Sequence, residues 1–413
     1  MRLPPMLASL TRHKLTVGLM VLTTAFTCAI VVNLASMIVH RLALLHAPSG
    51  LDESSLVMIE SSRIEASALG SEGGDTHHDY LPQYQADLAA LRGIAGVESV
   101  ASVSGLPLAG GSAFGITSSA GAAEDNAFSA DAFMGGPGTL KTLGLQLVRG
   151  RDFQPSEYIP LDGYKAMSKF SAAIISRALA MRLFHTDDAV GRLFYTSKRP
   201  IRVVGVVAHL MGMNPQLGAT DNEYAMLLPI EPNGDYVTFV LRTSPANRDR
   251  VLKRAASLLG RRDPQRIFDH AETFTRLRAQ HFQRDSAMIG LLLAAGIGLL
   301  VVTAAGIAGL AGFWVQQRTR SIGIRRAVGA TRADILRYFH AENFLIVTGG
   351  VLLGCLLAYA LNLLMMKFYA LQVLPPAYLA VGALALWAMG QLAVLGPALR
   401  SAAVPPAVAT RSV

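Results

Sequence analysis

The sequence predicts a multi-pass α-helical membrane protein, with four transmembrane helices in a one-plus-three arrangement and a large α+β extracytoplasmic domain between the first two helices. Three observations predict this fold class. The 413 residues are 52% hydrophobic and contain four apolar runs, each long enough to cross a bilayer core at about 1.5 Å per residue. A long hydrophilic insertion separates the first run from the other three. Basic residues are concentrated on one predicted side of the membrane, as in the cytoplasmic loops of membrane proteins.

Continuous apolar runs of this length favour helices over the strands of a closed barrel. The predicted segments are, in chain order, a cytoplasmic N-terminus (1–14), a first span (15–39), an extracytoplasmic domain with its stalk (40–284), a second span (285–315), a cytoplasmic elbow (316–343), a third span (344–366), a short extracytoplasmic loop (367–377), a fourth span (378–399) and a cytoplasmic C-terminus (400–413). The extracytoplasmic domain is called the outer domain below.

The first span contains no charged residue, and its most polar residue is Asn33. It follows a basic start, but its apolar run is about twice as long as that of a signal peptide, and no small-x-small cleavage site follows. We therefore expect a retained anchor. Cys28 and Cys355 both lie inside predicted spans, so a disulfide framework in the outer domain is excluded.

The distribution of charge predicts the topology. Between Arg41 and Asp285 there are 25 Lys and Arg against 26 Asp and Glu, a net charge of −1 (25 − 26). The rest of the chain holds 12 basic residues and two acids, which brings the total to +9. Eleven of the twelve fall on one predicted side, and only Lys367 falls on the other. The basic composition thus reports membrane orientation with both termini in the cytoplasm, and it leaves no excess charge that would indicate nucleic-acid binding.

The outer domain mixes strand and helix patterns without a regular βαβ alternation, which favours an α+β fold with one or two cores. The strand-like runs are Leu56–Ile59, Ile201–Val207, Ala225–Leu228 and Tyr236–Leu241. The helical patterns are Tyr84–Arg92, Ser176–Phe184 and Asn247–Leu259. Residues 105–123 are rich in Gly, Ser and Ala and are predicted to form a loop, and residues 71–79 a polar tip.

The segment Phe274–Arg284 is polar and helix-prone, and we expect it to extend the second span outward as a continuous helical stalk. The second span also carries small residues at four-residue spacing, which lets helix backbones approach closely. These residues predict a helix–helix interface, either in a dimer or against another span of the same chain: Gly290, Ala294, Gly298, Ala304, Ala308 and Gly312.

The elbow sequence predicts a short helix, a turn and the start of a second helix. Arg318–Arg337 carries six arginines and one acid, Asp334. Ile324, Ala327 and Val328 form one apolar face at helical spacing, and Gly329 is placed to cap that short helix. Thr331 and Asp334 form a capping-box variant that starts the next helix, which continues through Ile335, Leu336 and Phe339 into the third span. Docking to a partner protein and resting on anionic lipid both fit this pattern.

These residues resemble the FtsX/MacB-type family of ABC transporter permeases. The elbow signature stands here as Ser321-Ile-Gly-Ile-Arg-Arg-Ala-Val-Gly-Ala330, and further matches are Asp334-Ile335, Glu342, Gly349-Gly350, Gly354 and Pro406–Arg411. In the outer domain, the similar segments are Leu91–Val100, Leu143–Phe153, Ala173–Ala180, Gly191-Arg192 and Val203–Val207, in the family's order.

The resemblance implies a permease subunit of the bacterial inner membrane that dimerises and pairs with a separate ATP-hydrolysing subunit, with ATP and Mg²⁺ on that partner and no cofactor in this chain. It places ATPase docking at Ser321, Ile322, Gly323, Ile324, Arg325, Arg326, Ala327, Val328 and Gly329. Ser321 replaces the family's acid, so an acidic contact there is in doubt. The sequence contains no Gly-x-x-x-x-Gly-Lys-Ser/Thr loop, so we do not expect the chain to be an enzyme.

Other chemistry is sparse in the sequence. His77-His78-Asp79 is the only cluster of metal-ligand types, and its spacing is that of a solvated loop. Ser104 lacks a nucleophile-elbow motif, and His209 is interpreted as a packed or surface histidine. Inside the spans, Asn33, Asn362 and Gln391 are predicted to hydrogen-bond between helices.

The predicted function is therefore mechanotransmission, in which the chain couples ATP hydrolysis by its partner to motion of the outer domain. The predicted task is efflux of a peptide, antibiotic or toxin. A periplasmic adaptor is a further candidate partner. Lipoprotein extraction and regulation or sensing of an envelope process are alternatives within the family. A membrane-anchored extracytoplasmic hydrolase is the alternative outside it.

Overall fold

The computed structural model describes residues 14–63, 79–119, 127–161, 169–196, 199–215, 221–317, 328–369 and 376–403. The chain forms two compact units, one of Met1–Leu45 with Asp285–Val413 and one of His46–Arg284. The helices are α1 (Lys14–Leu45), α2 (Leu81–Arg92), α3 (Thr139–Leu143), α4 (Arg177–Phe184), α5 (Arg248–Arg262), α6 (Phe274–His281), α7 (Gln283–Gln317), α8 (Arg332–Tyr369) and α9 (Pro376–Ala403).

Four of these helices, α1, α7, α8 and α9, are long and apolar enough to cross a membrane. They confirm the predicted fold class of four membrane helices, one before the outer domain and three after it. The helices are longer than the predicted spans. In particular, α8 begins at Arg332, inside the predicted elbow, and runs without interruption to Tyr369.

The strands belong to the second unit. They are β1 (Leu56–Arg63), β2 (Val97–Ser104), β3 (Ser112–Thr117), β4 (Phe128–Gly135), β5 (Leu147–Gly150), β6 (Ile159–Pro160), β7 (Ala172–Ser176), β8 (Leu193–Thr196), β9 (Arg199–Val207), β10 (Ala225–Leu228), β11 (Ile230–Glu231), β12 (Val237–Thr243) and β13 (Arg266–Thr273). The four predicted strand-like runs fall in β1, β9, β10 and β12, and the three helical patterns fall in α2, α4 and α5.

One large sheet organises this unit around two cores. Its order is β10-β7-β9-β8-β3-β4-β2-β12-β1-β13, and β10 also pairs with β4, so six of the strands close into a ring. The ring encloses one core, with Phe194, Val206 and Met226 fully buried. The second core lies between the β2-β12-β1 part and helices α2 and α5, where Phe239 and Leu91 are fully buried. Pairing is mixed and mostly antiparallel, as expected of an α+β fold.

The prediction of a loop over residues 105–123 is wrong for its middle part, because β3 occupies Ser112–Thr117. This segment has little hydrophobic alternation, and only Ile116 is fully buried. Pairing with β4 on one side and β8 on the other decides its conformation. The predicted polar tip at residues 71–79 lies outside the described residues, except for Asp79.

The prediction of a continuous stalk is also wrong. Helix α6 ends at His281, and Phe282 adopts φ −91° and ψ 10° before α7 begins at Gln283. The physical reason is tertiary packing. The Phe282 side chain is only 3% exposed, its ring centroid lies 5.0 Å from that of His281, and the Arg278 guanidinium lies 5.5 Å from it. Burial of this ring overrides the local helix propensity.

Within the first unit, α1 and α8 pack backbone to backbone through glycines four residues apart. A Cβ added at Gly354 would lie 2.4 Å from Cys28 Cβ and 2.7 Å from the Ala25 carbonyl oxygen. At Gly350 it would lie 2.7 Å from Thr24 Cβ. Such spacing is the arrangement by which small residues bring membrane helices together.

We expect Gly350→Ala to destabilise the first unit by about 1–3 kcal/mol, because the added methyl group has no room against α1. Gly349→Ala is the matched control, since its Cβ would meet only a Val21 methyl group at 4.0 Å and Ala favours a helix over Gly. Thermal unfolding of the full chain in detergent, followed by circular dichroism, measures both. Equal melting temperatures for the two variants would contradict the close packing.

Candidate functional site

The candidate site is the predicted elbow (316–343) together with α8, the helix that begins within it. Of the predicted docking residues, Ser321–Ala327 lie outside the described residues, whereas Val328 and Gly329 are described. The Val328 side chain is 84% exposed. Gly329 has φ +105°, a backbone conformation that L side chains rarely adopt, which agrees with the turn predicted at this glycine.

The predicted capping box at the start of α8 is confirmed. The Thr331 backbone N–H donates to Asp334 Oδ2 at 3.0 Å, and the Asp334 N–H donates to Thr331 Oγ1 at 3.2 Å. The Thr331 hydroxyl also donates to Asp334 Oδ2 at 2.6 Å. These bonds satisfy backbone groups that the helix leaves without partners, so the start of α8 is defined at the exit of the elbow.

The first turns of α8 are packed against the other membrane helices. Ile335 and Phe339 are 5% and 6% exposed and share one apolar cluster with Ile307 and Ala311 of α7. The same cluster includes Val394 of α9 and Met20 of α1. One contiguous apolar cluster therefore joins the start of α8 to the other three membrane helices.

Polar side chains add contacts between these helices, as predicted for Asn33 and Gln391. Asn33 Nδ2 donates to the Ala358 carbonyl oxygen at 3.4 Å, and Gln391 Oε1 lies 3.0 Å from His340 Nδ1. The sequence interpretation missed Asn343, which is 4% exposed and donates through Nδ2 to the Gly390 carbonyl oxygen at 3.0 Å. It also missed the interface role of Gly350 and Gly354, although their four-residue spacing is visible in the sequence. Asn362 is buried in α8.

The small residues of the second span divide into two groups. Gly290, Ala294 and Gly298 are exposed, and a Cβ added at either glycine would meet no atom within 4 Å. Ala304, Ala308 and Gly312 are half-buried, next to the face on which Thr303 Oγ1 lies 2.8 Å from Thr27 Oγ1. Within the part of the chain that the structure describes, the first group is not used for packing.

The outer domain contains two polar clefts in its described part. The larger, of about 250 Å³, is lined by Asp131, Asp221, Tyr224 and neighbouring residues. Burial raises the pKa of the Asp131 carboxyl group, and a hydrogen bond from the Met213 backbone N–H opposes this shift. The smaller, of about 150 Å³, is lined by Ser104, Tyr236 and the glycine-rich turn between β2 and β3.

Of the residues weighed for catalysis or metal binding, Asp79, Ser104 and His209 are described by the structure. His77 and His78 lie outside the described residues, and the described ones include no group of three or more metal-ligand side chains. His209 is a surface histidine, as interpreted: its side chain is 47% exposed and its Nδ1 lies 3.1 Å from Glu223 Oε2.

Comparison with known proteins identifies the chain's relatives. The family model of the FtsX-like permease C-terminal region matches residues 293–406, and that of the MacB-like periplasmic core domain matches residues 16–258. The macrolide export ATP-binding/permease protein MacB of Bdellovibrio bacteriovorus is 28% identical over 209 residues, which are 47% of this chain and 31% of that protein. The uncharacterized ABC transporter permease YknZ of Bacillus subtilis is 26% identical over 232 residues, 54% of each chain.

A solved structure of the extracellular domain of YknZ aligns with 52% of this chain and all of that domain, at 16% identity and a TM-score of 0.32. The sequence alignments span only 31% of the MacB protein and 54% of the YknZ permease. The two family models together cover the first membrane helix, most of the outer domain and the three later helices. The chain belongs to the FtsX-like, MacB-type family of ABC transporter permeases.

Proposed function

We propose that this chain is the permease subunit of a mechanotransmission system in the bacterial inner membrane, with both termini in the cytoplasm. A separate ATPase subunit binds ATP and Mg²⁺, docks on the elbow and drives motion of the outer domain. The observation that carries the proposal is the continuity of α8, which begins in a capping box at the elbow exit and runs unbroken along the membrane segment. Its first turns pack against α7, the membrane helix that follows the outer domain in the chain, which is the proposed path outward.

The elbow has the composition of a docking surface. Arg325 and Arg326 supply positive charge, and Ile324, Ala327 and Val328 supply a small apolar centre, a combination enriched at protein interfaces. The exposure of Val328 and the positive φ of Gly329 support a turn that presents this surface. Ser321, Ile322 and Gly323 complete the proposed contact.

Efflux of a peptide, antibiotic or toxin, with or without a periplasmic adaptor, is the proposed task. MacB, a relative, is named for macrolide export, which supports an antibiotic as the substrate class. Lipoprotein extraction needs an apolar cradle. The exposed large apolar side chains in the described outer domain are Met181, Val190, Leu193, Tyr236 and Ile267, and lipoprotein extraction stays an alternative. Regulation or sensing of an envelope process remains the second candidate, because the larger outer cleft offers a polar recess.

The permease is proposed to act as a dimer through α7. Membrane helices associate through small residues, and Gly290, Ala294 and Gly298 are exposed on α7. Ala304, Ala308 and Gly312 extend this line of small residues along the same helix. A homodimer or a heterodimer satisfies this surface equally.

We expect the double substitution Arg325→Glu and Arg326→Glu to lower the stimulation of the partner's ATP hydrolysis by about tenfold or more, because it places like charges at the interface. The measurement is ATPase activity of the reconstituted pair, preceded by affinity purification of the tagged permease and mass spectrometry to identify the ATPase. Arg250→Glu with Arg254→Glu, on the outer helix α5, is the charge-matched control. Undiminished stimulation in the elbow variant would overturn the docking assignment.

We expect Ala294→Cys, in a chain whose Cys28 and Cys355 are replaced by Ser, to form a disulfide-linked dimer on mild oxidation in membranes. In a homodimer with a two-fold axis that passes close to Ala294, the Ala294 residues of the two copies lie side by side. Leu392→Cys on α9 is the control, since that side chain is also exposed, at 70%, but lies off the proposed interface. Equal crosslinking at both positions, or none at Ala294→Cys, would contradict an α7 homodimer.

A further inference from the structure

Arg278 of α6 holds together the two ends of the outer domain's chain. Its Nη1 forms an ion pair with Glu53 Oε1, and its Nη2 donates to the Ala47 carbonyl oxygen at 2.6 Å. The Arg278 and Glu53 side chains are 15% and 22% exposed, so the pair is largely shielded from solvent. The segment His46–Glu53, which follows α1, is called the strap below.

The strap is attached to the body of the outer domain by charge and by backbone bonds. Asp52 forms an ion pair with Arg242 of β12, and the Asp52 backbone N–H donates to the Leu143 carbonyl oxygen at 3.0 Å. Because β12 pairs with a strand on each side in the large sheet, the ion pair connects the strap to the sheet and not to a peripheral loop.

The strap is also packed closely against the segment His209–Met211. Gly50 has φ +88°, and a Cβ added there would lie 2.1 Å from the His209 carbonyl oxygen. The Met211 N–H donates to the Ser49 carbonyl oxygen at 3.0 Å, and the Ser49 hydroxyl donates to Glu53 Oε1 at 2.6 Å. The Glu53 carboxylate that pairs with Arg278 is therefore also hydrogen-bonded to Ser49, the residue whose backbone joins the strap to Met211.

We propose that Arg278 is the positioning residue through which movement of α7 and α6 reaches the sheet of the outer domain. This inference rests on the proposed function and names the residue that carries its coupling. The break at Phe282 shows why such a residue is needed, because an interrupted helix does not transmit motion as a rigid rod. The two contacts of the Arg278 guanidinium, with Glu53 and with the Ala47 carbonyl oxygen, connect α6 to the strap in place of a rigid helix.

The neighbouring Arg276 provides a matched contrast on the same helix. Its side chain is 73% exposed, and its Nε lies 3.8 Å from Glu272 Oε2, at the edge of an ion-pair distance. Both partners lie within β13 and α6, so this contact does not involve the strap. Arg276→Gln removes the same charge from α6 and leaves the proposed path intact.

The experiment uses the full permease reconstituted with its ATPase in lipid nanodiscs, and hydrogen–deuterium exchange with and without ATP and vanadate. The quantity measured is the ratio of the exchange rate with ATP and vanadate to the rate without them, in peptides covering the strap and β12. For Arg278→Gln we expect this ratio to fall by about threefold or more toward unity, with Arg276→Gln unchanged. Arg278→Lys, which keeps the charge but loses the fork, is expected to be intermediate.

Glu53→Gln gives the second arm of the test. We expect it to reduce the ratio as Arg278→Gln does, and the double variant to be no worse than either single one, because both changes remove the same contact. Exchange in β7 and β9 without nucleotide should match the wild type in every variant, which shows that the fold is intact. A purely structural role would instead raise exchange across these strands.

The outcomes separate the two proposals. A wild-type ratio of unity throughout the outer domain would overturn the proposed function itself. A wild-type response that Arg278→Gln retains in the strap and β12 would overturn the role of Arg278 alone. Additive effects of Arg278→Gln and Glu53→Gln would also contradict it, because they would place the two residues on independent paths.

Discussion

Between α1 and α8 there is no room for a side chain at Gly350 or Gly354, and the membrane unit is organised around that contact. Lipid is as apolar as the helices, so burial of apolar side chains does not drive their association. Close backbone approach supplies dispersion contacts instead, over many atoms. Because α1 and α8 are separated in sequence by the whole outer domain and by α7, this contact joins parts of the chain that lie on either side of the insertion.

The remaining helices are arranged relative to this pair. Helix α9 joins through Gly382 and Gly390, where added Cβ atoms would lie 2.4 Å from Val32 and 2.8 Å from Val347 side-chain atoms. Hydrogen bonds from Asn343 and between His340 and Gln391 fix the register of α8 against α9. Helix α7 is the least buried of the four, and Gly290, Ala294 and Gly298 are exposed on it.

The proposed transmission of motion depends on where the chain forms continuous helices and where a helix is interrupted. Helix α8 is continuous, and its first turns contact α7 in one apolar cluster. Phe282 separates α7 from α6, although its backbone N–H still donates to the Arg278 carbonyl oxygen at 3.0 Å. The outer domain, in turn, is built on one large sheet with two cores, and β6 and β11 form a separate two-stranded sheet.

Local pattern alone determined the four membrane helices, the insertion between the first two, the capping box at Thr331 and Asp334, and the strands with strong apolar periodicity. These follow from interactions within a few residues or from the thickness of a bilayer. The elbow signature and the order of the outer-domain motifs also indicated the family. Tertiary structure decided the rest. The strand at Ser112–Thr117 exists because β4 and β8 pair with it, and the helix breaks at Phe282 because its ring is buried. Arg278 meets Glu53 across more than two hundred residues of chain, and no local pattern encodes a contact of that separation.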